Sequence, residues 1–219
     1  MTEETPLPRL GVLVSGRGSN LAAILAAIDR GDLSAHVVIV ISSKPDVPAL
    51  GIAAQAGIPS LVVAPRAYPS RAAEGEAIVA ALREAAIDLV ITAGYGRIFA
   101  PCVTEAFPWK IINIHPSLLP AFAGSMAPGP QAQALAAGVK FAGCTTHFVT
   151  DETDAGPIIA QAVVPVLDDD TVETLADRIL AAEHRLLPQT IADVLAGRVR
   201  VEGRRTIRVE SGTNDHALR

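Results

Sequence analysis

The chain has 219 residues, of which 50% are hydrophobic and 19% charged, with a formal net charge of −5. At ~150 residues per domain that is one large domain, or one with an appendage, and long enough for a sizeable core; it is neither a disordered tail nor a general nucleic-acid binder. No apolar run approaches the ~18 residues of a membrane span, no basic-then-apolar leader opens the chain, and two cysteines, Cys102 and Cys144, make neither a disulfide framework nor a paired metal motif.

Short runs rich in Val and Ile, at 10–14, 37–41, 60–63, 89–92 and 111–114, read as strands. Between them, Ala-rich stretches at 21–29, 47–56, 71–85 and a short piece at 101–106 read as helices. Continuous apolar strands with helical crossovers predict a parallel sheet covered on both faces, a doubly wound α/β fold. Ligands in that architecture lie outside the carboxyl ends of the strands. After Ile114 the pattern changes. A Pro/Gly-rich loop at 116–130 leads to a helix near 131–137, then strand candidates at 144–149 and 157–166 joined by an acidic turn. These predict an antiparallel extension of the sheet. A long helix starts near Thr171, with Asp170 as its cap and Glu173 completing a capping box. The predicted organisation is an N-terminal tail at 1–8, one domain at 9–200 and a C-terminal tail at 201–219; the Arg-rich stretch from Val199 reads as a marginal hairpin or a frayed tail.

Four places carry candidate chemistry. Ser15-Gly-Arg-Gly-Ser-Asn20 joins the first strand to the first helix. Its glycines let backbone N–H groups approach an anion, and the helix N-terminus adds its dipole. With Leu21 where a third glycine would stand, it is not the dinucleotide fingerprint, and a single phosphate suits it better. The alternative is a tight turn with Ser19 or Asn20 capping the helix. Asn113 and His115 lie two apart at the end of a strand, on one face. A carboxamide there can bind a developing oxyanion and an imidazole can move a proton; a core histidine beside a loop-bonding asparagine is the bland alternative. In the turn after the 144–149 strand, Asp151, Glu152 and Asp154 offer a carboxylate to orient an imidazole, and the residues alone do not choose among them. Glu183 falls inside the apolar stripe formed by Val172, Leu175, Ala176, Ile179, Leu186 and Leu187, where it needs a partner; Arg178 or Arg185 could supply one. His184 falls off that stripe and is expected to be exposed, and His147 reads as a structural histidine.

Together, Ser15-Gly-Arg-Gly-Ser-Asn20, Asn113-Ile-His-Pro-Ser-Leu-Leu-Pro120 and His147-Phe-Val-Thr-Asp-Glu-Thr-Asp-Ala-Gly-Pro157 resemble the phosphoribosylglycinamide formyltransferase family over residues 10–200. The resemblance implies the Rossmann-like formyltransferase fold and transfer of a formyl group from 10-formyltetrahydrofolate to the amine of glycinamide ribonucleotide, in purine biosynthesis. It implies a catalytic trio of Asn113, His115 and Asp154, and a substrate-phosphate loop of Gly16, Arg17, Gly18, Ser19 and Asn20. It places Glu183 on the substrate ribose. On the folate side it implies Gly96, Arg97, Ile98 and Phe99 at the pterin, with Asn113, and Arg71 near the folate tail. No metal is implied. The expected partners are small molecules, with no nucleic acid or membrane, and a cytoplasmic monomer or homodimer. One departure is the loop Ser125-Met-Ala-Pro-Gly-Pro130, longer than in many members by about three residues and lacking their histidine. Formyltetrahydrofolate hydrolase is the nearest alternative; that family carries an extra N-terminal domain and a His where Pro116 stands. A non-catalytic phosphate-ligand binding protein is the other.

Overall fold

The computed structural model describes residues 6–124 and 129–209. In chain order the elements are β1 (Arg9–Val14), α1 (Ser19–Asp29), β2 (His36–Ser42), α2 (Pro48–Gln55), β3 (Ser60–Val62), α3 (Arg71–Glu84), β4 (Leu89–Thr92), α4 (Pro101–Ala106), β5 (Ile111–His115), α5 (Pro130–Ala136), β6 (Phe141–Phe148), β7 (Ile158–Pro165), α6 (Val172–Leu195), β8 (Val199–Glu202) and β9 (Arg205–Arg208). They build one sheet in the order β3-β2-β1-β4-β5-β6-β7-β9-β8. The first five strands are parallel. β6 and β7 continue the sheet antiparallel.

Both faces of the parallel part are covered, as its apolar strands require. Leu10, Val12 and Val14 of β1 pack with Leu21 and Ile24 of α1 and Leu175, Ile179 and Leu187 of α6. Leu13 turns the other way, onto Ile78 and Leu82 of α3 and Val103 of α4. Each such buried side chain contributes about 1.5–3 kcal/mol. The chain runs outward from β1 to β3, then returns to the far side of β1 as β4. That reversal opens a crevice at the carboxyl ends of β1 and β4, and the next strand in the sheet is β5, which carries Asn113 and His115. Among the described residues no helix is long and apolar enough to cross a membrane.

Of three expectations, one changes, one is decided between its two readings and one lies outside the described residues. α6 is capped by Thr171, which forms a capping box with Thr174, not by Asp170 with Glu173. Asp170 is taken by a two-pronged pair with Arg178, at 2.7 and 2.8 Å, and by the Leu167 N–H. Those contacts hold its carboxyl well below the usual carboxylate range, the Arg178 bond most of all. Secondly, of the two readings of the stretch from Val199, the hairpin is the one that forms, through Arg208. β8 and β9 form a hairpin whose one parallel pair, Ile158↔Arg205, joins it to β7. Asp193 of α6 draws in both Arg198 and Arg208, at 2.7 and 2.8 Å, so these basic residues brace the hairpin against the helix. Thirdly, residues 125–128 of the lengthened loop lie outside the described residues, and α5 opens at Pro130.

Candidate active site

The loop between β1 and α1 is shaped by Gly18. This residue has φ 79° and is the cap position of α1, where no side chain caps the helix. The alternative of Ser19 or Asn20 as cap is therefore not what the structure shows, and the first-turn N–H groups keep their capacity for an anion. A Cβ on Gly18 would lie 2.7 Å from both Cα and Cβ of Ala49. Gly18→Val is accordingly expected to lower the thermal unfolding midpoint, with the left-handed backbone alone worth about 1–3 kcal/mol; an unchanged midpoint would contradict that packing. Ser15 pins this loop to its neighbours: its Oγ lies 2.6 Å from Ser43 Oγ and accepts the Gly96 N–H at 2.9 Å. Arg17 is exposed and Ser19 half-buried.

Asn20 and Glu183 meet behind that loop. Asn20 Nδ2 donates to Glu183 Oε2 at 2.7 Å, and both residues are buried. Burial raises the Glu183 carboxyl above its ordinary value, against the Asn20 bond and the Arg17 charge, which lower it. Arg178 is committed to Asp170 and does not serve Glu183. Asn20 Oδ1 is buried with no partner among the described residues. His184, expected to be exposed, is half-buried with an equally unpartnered Nε2, and burial lowers its pKa.

On the other side of the crevice the predicted trio comes together. Ile112 and Ile114 of β5 face α1 and α6, and Ile111 faces α3 and α4. Asn113 and His115 continue the Ile111 row to the strand end, where they line a cavity of about 390 Å³ together with Asp154. His115 Nδ1 lies 3.4 Å from Asp154 Oδ2, and its Nε2 lies 3.4 Å from the Phe122 carbonyl. Asp154 has φ 53° and its Oδ2 accepts the Gly124 N–H at 2.9 Å. Of the three acids, Asp154 and Glu152 line the cavity, and Asp154 is the one that pairs with His115. Asp151 and Glu152 are exposed, and Asp151 accepts from the Thr104 hydroxyl on α4.

His147 is buried and hydrogen-bonded, as expected of a structural histidine, and it also lines the cavity. It sits opposite Asn113 in the β5–β6 register. Its Nδ1 lies 3.0 Å from the Phe148 carbonyl and so carries the proton. Its Nε2 then accepts from Asn113 Nδ2, also at 3.0 Å, while Asn113 Oδ1 accepts from the Thr92 hydroxyl at 2.6 Å. Turning the amide over would require a proton on both ring nitrogens. Burial disfavours that cation and lowers the His147 pKa, outweighing Asp154, whose Oδ1 is 3.7 Å away. The amide of Asn113 is thus fixed, with one Nδ2 hydrogen left for a ligand.

A linkage prediction follows from the neutral state of His147. The unfolded chain binds the proton near the ordinary value of ~6.5 and the folded chain only at lower pH. Stability is therefore intact above ~6.5 and declines as pH falls below it. Wild type is expected to lose more of its urea midpoint between about pH 7.5 and 5.5 than His147→Gln does. Equal losses would mean that His147 protonates freely in the fold.

The remaining folate-side candidates form the cavity wall. Gly96, Arg97, Ile98 and Phe99 line it, and Tyr95 stacks on Phe99 with ring centroids 5.3 Å apart. Arg71, at the start of α3, does not line the cavity but reaches the Phe99 carbonyl at 3.1 Å. The 16–20 loop and Glu183 lie outside this cavity's lining, so the candidate residues fall in two places. A second hollow of about 460 Å³ between α3 and α4, around Cys102 and Arg83, contains none of these groups.

Residues 8–191 match the family model described as formyl transferase. The chain is 46% identical over 193 residues to the trifunctional purine biosynthetic protein adenosine-3 of Bos taurus; the match covers 88% of this chain and 19% of that protein, so this chain spans about a fifth of its length. The crystal structure of glycinamide ribonucleotide transformylase 1 from Symbiobacterium toebii superimposes with TM-score 0.90 at 47% identity, over 96% of this chain and all of that one. A formyltetrahydrofolate deformylase from Pseudomonas syringae superimposes with TM-score 0.86 at 28% identity, over 94% of this chain and 67% of that one.

Proposed function

The chain belongs to the formyl transferase family, and on that premise we propose that it transfers the formyl group of 10-formyltetrahydrofolate to the amine of glycinamide ribonucleotide. The products are formylglycinamide ribonucleotide and tetrahydrofolate, as a step of purine biosynthesis. The observation that carries this reading is the fixed Asn113 amide beside the His115–Asp154 pair on one cavity.

In the reaction the ribonucleotide amine attacks the formyl carbon. The carbonyl electron pair moves onto oxygen, and the free Nδ2–H of Asn113 donates to the oxyanion that forms. As the tetrahedral centre collapses, the bond from the formyl carbon to the folate N10 breaks. The proton lost by the amine ends on N10, with His115 as the group placed to assist its movement and Asp154 as the charge that orients the imidazole. On the apolar side, Ile98, Phe99 and the backbone of Gly96 and Arg97 receive the pterin, and Arg71 the carboxylate tail. On the other side, the 16–20 loop takes the phosphate and Glu183, joined to Asn20, takes ribose hydroxyls.

We assign the formyltransferase unit to residues 9–200, with the 201–208 strands completing its sheet. We also place the enzyme in the cytoplasm, as a monomer or homodimer acting on small molecules and on neither nucleic acid nor membrane. The two free cysteines suit a reducing compartment. The likeness to a deformylase gives hydrolysis a hearing, while Pro116 stands where that alternative expects a histidine. The test follows tetrahydrofolate release with and without glycinamide ribonucleotide. Release that depends on the ribonucleotide is expected; equal release without it would make the protein a hydrolase.

A further inference from the structure

Glu74 is a buried carboxylate with no part in the steps above. It lies in the first turn of α3 and is 5% exposed. A buried carboxylate is unfavourable unless paired. Its Oε2 accepts from Arg97 Nη2 at 3.1 Å, and it has no other side-chain partner among the described residues. Arg97 lines the cavity and its side chain is 38% exposed, whereas Glu74 does not reach the lining. Tyr95 belongs to the same patch of wall: its hydroxyl is buried without a partner among the described residues, and burial, then the Glu74 charge, pushes its pKa up. A guanidinium has five N–H donors, so the Glu74 bond leaves most of Arg97 unused.

We propose that Glu74 is a positioning residue, which holds Arg97 at the cavity rim so that Arg97, beside Arg71, receives the acidic tail of the folate. The proposal rests on the reading of this cavity as the folate site. A free arginine loses rotamer freedom when it binds a ligand; one already fixed by a buried carboxylate has lost it beforehand. Tyr95 and Phe99 pair their rings on the cavity wall, Arg97 lines the same cavity as a carboxylate partner, and Arg71, outside the lining, reaches it through the Phe99 carbonyl.

The test is equilibrium binding of two probes to wild type, Glu74→Ala, Glu74→Gln, Arg97→Ala and the double variant. One probe is a non-transferable 10-formyl folate analogue; the other is its pteroate counterpart, which lacks the glutamate. Glu74→Ala is expected to weaken the glutamate-bearing probe about tenfold and the pteroate by less than about twofold. In turnover, the KM for folate should rise by the same factor with kcat unchanged. Glu74→Gln, which still accepts from Nη2, should recover most of the loss. The double variant should bind no more weakly than Arg97→Ala, because both changes remove one interaction. Equal loss of the two probes, or additive losses, would overturn the proposal. If Glu74→Ala does not fold, Glu74→Asp replaces it, keeping the charge but falling short of Arg97, with the same selective loss expected. Failure of wild type to bind either probe is a different result and would overturn the folate reading of the cavity itself.

Discussion

Replacing Asn113 by alanine is expected to lower kcat by about 10²–10³, the usual effect of losing one oxyanion donor. The size of the effect comes from preorganisation. Asn113 Oδ1 is held by Thr92 and one Nδ2 hydrogen by His147, so the amide cannot rotate and its second hydrogen is already aimed when substrate arrives. Such a donor does little for the ground-state carbonyl and much for the oxyanion, so KM for either substrate should move less than kcat. The variant also leaves the buried His147 Nε2 without its donor, while the Thr92 hydroxyl keeps the Ile112 carbonyl, a stability loss of about 1–3 kcal/mol. Kinetics therefore need a parallel unfolding measurement. A folded variant that turns over near the wild-type rate would remove Asn113 from the oxyanion role. Thr92→Val tests the same arrangement from behind: it should lower kcat less than Asn113→Ala does, because His147 still holds the amide.

The parallel half of the sheet was readable because its inner strands β1, β4 and β5 are buried on both faces and so read as short continuous Val/Ile runs between helical stretches, whereas edge strand β3 is exposed. The β5 strand carries Asn113 and His115 at period two, so their shared face was readable as well. What the sequence did not disclose depends on register between distant segments. His147 looked structural because nothing local places it opposite Asn113; that follows from the β5–β6 pairing. Asp170 looked like the cap of α6 because aspartate is a good cap. Arg178, eight residues on, competes for the same carboxylate, and Thr171 takes the cap instead. The final stretch reads as either a hairpin or a frayed tail, and the acid that decides for the hairpin, Asp193, sits on another element. Glu183 was legible as misplaced on an apolar stripe, yet its partner, Asn20, is 163 residues away.

Asp154→Asn should reduce kcat by about 10²-fold or more, the lower end of what proton transfer by a positioned side chain provides. Asparagine is nearly the same size and tolerates the left-handed backbone that Asp154 adopts at φ 53°. Its carbonyl oxygen can still accept the Gly124 N–H now held by Oδ2. The variant therefore preserves the turn and removes only the negative charge that lies 3.4 Å from His115 Nδ1 and 3.7 Å from His147 Nε2. Loss of fold cannot explain a loss of rate in that case, and circular dichroism with an unfolding curve verifies the point. The neighbouring acids provide the contrast. Glu152 is exposed, so Glu152→Gln should leave kcat within about twofold. Asp151 ties the turn to Thr104 on α4, so Asp151→Asn should affect stability before it affects chemistry. One series of three variants under the same kinetics separates the roles, because the changes are chemically alike and differ only in where the charge stood. A crippled Glu152→Gln beside an active Asp154→Asn would show that the charge serving His115 comes from elsewhere in the turn, and the trio would have to be redrawn.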